Sequence, residues 1–183
     1  MKKVVKFGGS SLASAEQFMK VGAIIRADES RRYVVPSAPG KRFSDDTKVT
    51  DMLYHCYELA EQSKAFNKQL NQIKDRYNEI INGLKLDFSL DEDFEIIKKQ
   101  FVAKAGSMYA ASRGEYLNGK IMAKYLGYEF VDAANVIRFN KDGSFDSETT
   151  NELLATYLDK IERAVIPGFY GAMKNGTVVT SSR

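Results

Sequence analysis

Val4-Val5-Lys6-Phe7-Gly8-Gly9-Ser10-Ser11 is the stretch from which the fold is read. Its first half is apolar and β-branched enough to predict a short buried strand, which the two glycines end abruptly. A helix is expected next, with Ser14 as N-cap and Gln17 three residues on. Phe18, Val21, Ile24 and Ile25 then recur at helical spacing. Tyr33-Val34-Val35 is a second apolar run, stopped by Pro36, Pro39 and Gly40. Strand, glycine turn, helix and strand make a βαβ unit. That order predicts an α/β fold with a mainly parallel sheet and a right-handed crossover.

The same turn can carry chemistry. A strand that delivers two glycines and two hydroxyls to a helix start can aim several backbone N–H groups at an anion. Glycine is needed where a phosphate approaches the backbone closely, and Lys6 would stand beside that anion at the end of its strand. This turn contains neither G-x-x-x-x-G-K nor G-x-G-x-x-G, so it is not a Walker A loop or a dinucleotide fingerprint. From the residues alone, both a plain tight turn and a phosphate cradle remain open.

Further along, residues 50–101 read as helical. Phe66, Leu70, Ile73, Tyr77, Ile80, Ile81 and Leu84 form one helix face, and Ser89-Leu90-Asp91-Glu92 reads as the capping box of the next helix. The two predict an antiparallel helical hairpin, either a lid or a structural insertion packed on the main domain. Another helix is expected over residues 107–125, ending at Gly127, and one over residues 148–158. Glu129-Phe130-Val131-Asp132, Ala164-Val165-Ile166 and Thr177-Val178-Val179-Thr180 are the remaining strand candidates.

A chain of 183 residues, 44% hydrophobic and 28% charged, fits one large globular domain or two small ones. No apolar run approaches the ~18 residues of a membrane span, and Lys6 cuts off any signal-peptide core. One cysteine, Cys56, excludes an intrachain disulfide and agrees with a cytoplasmic location; one histidine disfavours a His-based metal site. Twenty-seven basic against twenty-four acidic residues, with dispersed aromatics, give no nucleic-acid footprint. His55 and Cys56 read as packing within an apolar helix stretch, and Asp45-Asp46 as loop decoration rather than a metal site.

Residues 4–12, Val-x-Lys-Phe-Gly-Gly-Ser-Ser-Leu, resemble the N-terminal signature of aspartate kinases in the amino-acid kinase family. Ser37-Ala38-Pro39-Gly40 followed by Thr50-Asp51 is similar to that family's second glycine-containing loop. Ser112-Arg113-Gly114-Glu115 resembles its Gly-Glu motif, and the segment from Pro167-Gly168 to Arg183 resembles the approach to its Arg-Gly-Gly-Ser-Asp loop. Pro36, the stretched loop at residues 41–49 and Ser181-Ser182 depart from the common pattern.

The resemblance implies a three-layer α/β/α amino-acid kinase-like fold. Residues 1–183 would be its N-terminal, substrate-binding half, with a helical insertion at about residues 58–104. The rest of the ATP-binding half and the regulatory ACT domains would lie outside these residues, and the segment alone would be inactive. The implied reaction moves the γ-phosphoryl group of ATP, with Mg²⁺, to the β-carboxylate of L-aspartate, the first step towards lysine, threonine and methionine. Lys6 would be catalytic, with Phe7, Gly8, Gly9 and Ser10 joining it around the phosphates. Ser37, Thr50, Glu115 and Arg183 would bind the amino acid, with Thr47 competing for the place of Thr50. A cytoplasmic homo-oligomer with no membrane or nucleic-acid partner is implied. The rivals are a kinase for another amino acid and a non-catalytic amino-acid- or partner-binding domain.

Overall fold

The computed structural model describes residues 1–181. β1 (Lys3–Phe7) and β2 (Arg31–Pro36) pair in parallel, with Phe7 opposite Pro36. Between them runs α1 (Ala15–Arg26), whose N-cap Ser14 accepts the Gln17 N–H through its side chain. α1 buries Phe18, Val21 and Ile25. Ile24 is half exposed, because it falls outside the stripe these three define.

Three helices follow: α2 (Val49–Glu61), α3 (Asn67–Gly83) and α4 (Asp91–Val102). The expected helix face is present on α3, where Leu70, Ile73, Tyr77, Ile80 and Ile81 are buried. Each such side chain stabilises by roughly 1.5–3 kcal/mol relative to exposure. α3 packs on α1, α2, α4 and α5 (Ser107–Leu126) and so belongs to the main core. The capping box is displaced. Leu90 is the N-cap of α4, and the Ser89 hydroxyl accepts the Asp91 N–H from one position earlier, at 3.1 Å. α5 ends at Gly127, which takes the left-handed conformation at φ +72°.

β3 (Glu129–Phe130) and β5 (Ala164–Val165) complete the first sheet; α6 (Ala133–Val136), β4 (Arg138–Phe139) and α7 (Ser147–Asp159) lie between them in sequence. The strand order is β1-β2-β5-β3, all parallel, with Tyr33 opposite Ala164 and Val34 opposite Val165. Strand alternation then sorts the two cores. Val34 and Val165 face α1 and α5 on one side. Tyr33, Ala164 and Ile166 face Val136 of α6 and Leu154 and Leu158 of α7 on the other. The result is the expected α/β/α layering.

A second small sheet has the order β4-β6-β7, from β6 (Tyr170–Met173) and β7 (Val178–Thr180). β4 and β6 run parallel; β6 and β7 run antiparallel. Of this sheet only β7 carries a sequence signal. β4 is two residues long, and β6, Tyr-Gly-Ala-Met, has neither alternation nor branching. No helix among the described residues is long and apolar enough to cross a membrane.

Candidate active site

Parallel pairing puts the carboxyl ends of β1 and β2 side by side, so the turns that leave them share one edge of the sheet. The first turn is a short 3₁₀ segment, Gly9–Leu12; the second is the loop from Ser37 to Lys48. The two touch backbone to backbone. Gly40 N–H donates to the Gly9 carbonyl at 2.8 Å. A Cβ on Gly9 would lie 2.8 Å from the Ala38 oxygen, and one on Gly40 would lie 2.7 Å from the Gly9 carbonyl carbon. Both glycines are therefore required by the contact between the loops. Gly8 is different: its φ is −76°, and a Cβ there would meet nothing within 4 Å.

Between these loops and the N-terminal half of α5 lies a cleft of about 720 Å³. Lys6, Gly9 and Ser10 line it from β1 and its turn, Ser37 from the end of β2, Thr50 from the start of α2 and Glu115 from α5. These six sequence-predicted residues are brought together. Phe7 instead directs its ring into the main core, and Gly8 does not line the cleft. Arg183 lies outside the described residues. Thr47 and Thr50 separate cleanly. Thr50 is 4% exposed and faces the cleft, whereas Thr47 lines a neighbouring cavity of about 530 Å³ and gives its carbonyl to Arg76.

Glu115 is 3% exposed. On the preceding residue, the Gly114 carbonyl accepts the hydroxyl of Tyr77 at 2.7 Å. Burial pushes the Tyr77 phenol well above its usual range, and the Glu115 carboxylate adds to the rise. One turn beyond Glu115, Asn118 donates its amide to the Ser37 carbonyl at 2.7 Å and ties α5 to the end of β2. Gly119 leaves its space to the ring of Pro167, whose Cγ would lie 2.7 Å from an added Cβ. Gly119 therefore serves packing, its space taken by a side chain.

Sequence reasoning missed two lysines. Lys41 and Lys48 also line the cleft, so among its described residues three ammonium groups accompany the single carboxylate of Glu115. Such a balance favours an anionic ligand. Phe169, at the far rim, holds φ +74°, a conformation unusual for a residue with a side chain. The only sequence hint of Lys48 was its position two residues before Thr50.

Two further expectations change. Asp46 is no loop ornament: its carboxylate takes Arg42 in a fork (Nε 2.8 Å, Nη2 3.0 Å) and Arg76 Nη1 at 3.1 Å. The Arg42 hydrogen bonds hold its pKa far below the usual carboxylate range. His55 stands on the exposed side of α2, beside Glu58. Its neighbour Cys56 is fully buried, and burial pushes that thiol up to about 12.

The model of the amino acid kinase family matches residues 1–182. The chain is 34% identical over 195 residues to aspartokinase 3 of Bacillus subtilis, covering 99% of this chain and 43% of that protein. The solved structure of Clostridium acetobutylicum aspartate kinase matches at 49% identity and a TM-score of 0.96, over 100% of this chain and 42% of that one. E. coli aspartokinase III in complex with aspartate and ADP shares the fold, with a TM-score of 0.80 at 22% identity, over 100% of this chain and 44% of that one. The chain thus spans less than half the length of these relatives.

Proposed function

The chain belongs to the amino acid kinase family, and we propose that within it these residues form the acceptor-binding part of an aspartate kinase. The reaction moves the γ-phosphoryl group of ATP to the β-carboxylate of L-aspartate and yields 4-phospho-L-aspartate. The observation that carries this reading is the cleft itself, where one buried carboxylate shares the ends of two parallel strands with three lysines. Aspartate brings one ammonium and two carboxylates, and ATP brings phosphates, so the charges are complementary. The similarity to aspartokinases of Bacillus and Clostridium supports the same reading.

The chemistry asks little of the protein in proton transfer. A carboxylate with a pKa near ~4 is ionised at neutral pH and needs no general base. Phosphoryl transfer depends instead on alignment and on neutralising charge at the transferring group. Lys6 supplies that charge in this reading, and the backbone of Gly9 and Ser10 receives phosphate oxygens. Glu115 holds the substrate ammonium, Thr50 and Ser37 add polar contacts, and Lys48 faces a substrate carboxylate. Mg²⁺ would neutralise phosphate charge, yet no group of three or more His, Cys, Asp or Glu among the described residues forms a cage for it. The ion in this reading is carried by the nucleotide, and no step here is assigned to it.

Trapping the acyl phosphate with hydroxylamine tests the proposal. The intact gene product, given ATP and L-aspartate, should form aspartyl hydroxamate, and much less product from glutamate, N-acetylglutamate or carbamate. Equal or greater turnover of one of those acceptors would reassign the substrate. No phosphorylation of any acceptor, with amino-acid binding retained in calorimetry, would favour a binding domain.

A further inference from the structure

Helix α3 contributes no residue to the cleft, yet two of its consecutive residues hold the cleft's two walls. Successive residues of an α-helix point about 100° apart, so neighbours can engage different elements. Arg76 reaches the loop after β2. Its Nη2 donates to the Gly40 carbonyl at 3.0 Å, and its Nη1 donates to the Thr47 carbonyl at 3.1 Å and pairs with Asp46 at 3.1 Å. The side chain is 5% exposed; its contact with Gly40 is buried and that with Thr47 partly so. Tyr77, fully buried, donates its hydroxyl to the Gly114 carbonyl beside Glu115.

One wall, from Gly40 to Thr50, bears Lys41, Lys48 and Thr50; the other bears Glu115. We infer that Arg76 and Tyr77 are positioning residues that set the separation of these walls, and that through them α3 tunes acceptor affinity. The inference rests on the kinase reading above. Its physical basis is twofold. Gly40 and Thr47 lie in a loop without regular structure, whose placement depends on side chains that reach its carbonyls. Removing the guanidinium leaves the buried Gly40 carbonyl without its partner, and the loop then moves to find water.

Kinetics of the intact gene product test this. Tyr77→Phe deletes one hydroxyl and keeps the ring; Arg76→Met keeps length without donors; Arg76→Lys keeps charge but serves fewer acceptors. KM for aspartate should rise by about threefold to tenfold in Tyr77→Phe and by about tenfold or more in Arg76→Met, with Arg76→Lys between wild type and Arg76→Met. The kcat and the KM for ATP should stay within about twofold, because neither residue lines the cleft. Hydrogen exchange should quicken at residues 40–48 in Arg76→Met and around Gly114 in Tyr77→Phe. Unchanged aspartate KM in folded variants would overturn the inference, as would parallel changes in kcat and both KM values. If the wild type phosphorylates no aspartate, the kinase reading fails by itself. The clamp is then judged on exchange, and unchanged exchange at both segments overturns it as well.

Discussion

Lys6 and Glu115 face the same cleft from different elements, and their substitutions should separate catalysis from binding. Charge on the transferring group is felt mostly in the transition state, where losing one such contact costs about 2–4 kcal/mol. Lys6→Ala in the intact enzyme should therefore cut kcat by roughly two orders of magnitude or more with little change in aspartate KM. A normal kcat with only a raised KM would remove Lys6 from the chemical step. Glu115→Gln should do the reverse, because the substrate ammonium is present in ground and transition states alike. Loss of a charge-assisted contact of about 1.5–3 kcal/mol predicts a rise of roughly ten- to hundredfold in aspartate KM. Asp46 makes a different test, through pH. Its pKa is depressed in the folded state by Arg42, so its contribution is present above the unfolded carboxylate value of ~3.9 and is lost as pH falls further. Thermal melts from pH 6 to pH 3 should show a shallower decline for Asp46→Asn than for wild type. At this scale Lys6, Gly9, Ser10, Ser37 and Glu115 were legible because each sits beside a glycine or near a strand end, whereas Thr50, in the first turn of α2, came only from the family resemblance. Lys41 and Lys48 were not legible, since a lysine in a loop carries no sign of which way it points.

Loops around a cleft can hold glycine for two reasons, and the two glycine loops here allow a direct comparison. Gly40→Ala drives a Cβ into the Gly9–Ser10 backbone and should destabilise the protein by about 1–3 kcal/mol. Gly8→Ala meets open space at a backbone angle that alanine adopts freely, so its melting temperature should match or exceed wild type. If phosphate approaches there, Gly8→Ala should still lower activity about tenfold or more. A stable and fully active Gly8→Ala would move the phosphate elsewhere. The elements themselves were read well where a long stripe or a cap spoke for them: α1 from Ser14, α3 from its apolar face, α5 from Gly127. β4, α6 and β6 are two to four residues long, too short to show a period, and β4 forms only by pairing with β6 more than thirty residues on. The exposure of Ile24 and His55 had the same origin, because periodicity names a face but not its neighbours.

In the proposed reading, residues 1–181 present one side of a phosphoryl-transfer site, with its cleft assembled between β1, β2, α2 and α5. Residues 1–183 expressed alone should therefore make no measurable acyl phosphate, since transfer requires both substrates in fixed alignment. Hydroxamate formation by that segment would show the site to be complete within it. The sheet order ends at β1, whose outer backbone groups pair with no other described strand, and Val4, its second residue, is 68% exposed. Lys3 is paired with Asp28, Lys2 donates to the Tyr33 hydroxyl and Lys6 lines the cleft, so these lysines are engaged elsewhere than at the open edge. An edge strand without such protection is a template for pairing with another chain. Colloidal behaviour of the isolated segment should thus depend on its concentration, with scattered light rising as the protein is concentrated and Val4→Lys delaying the onset.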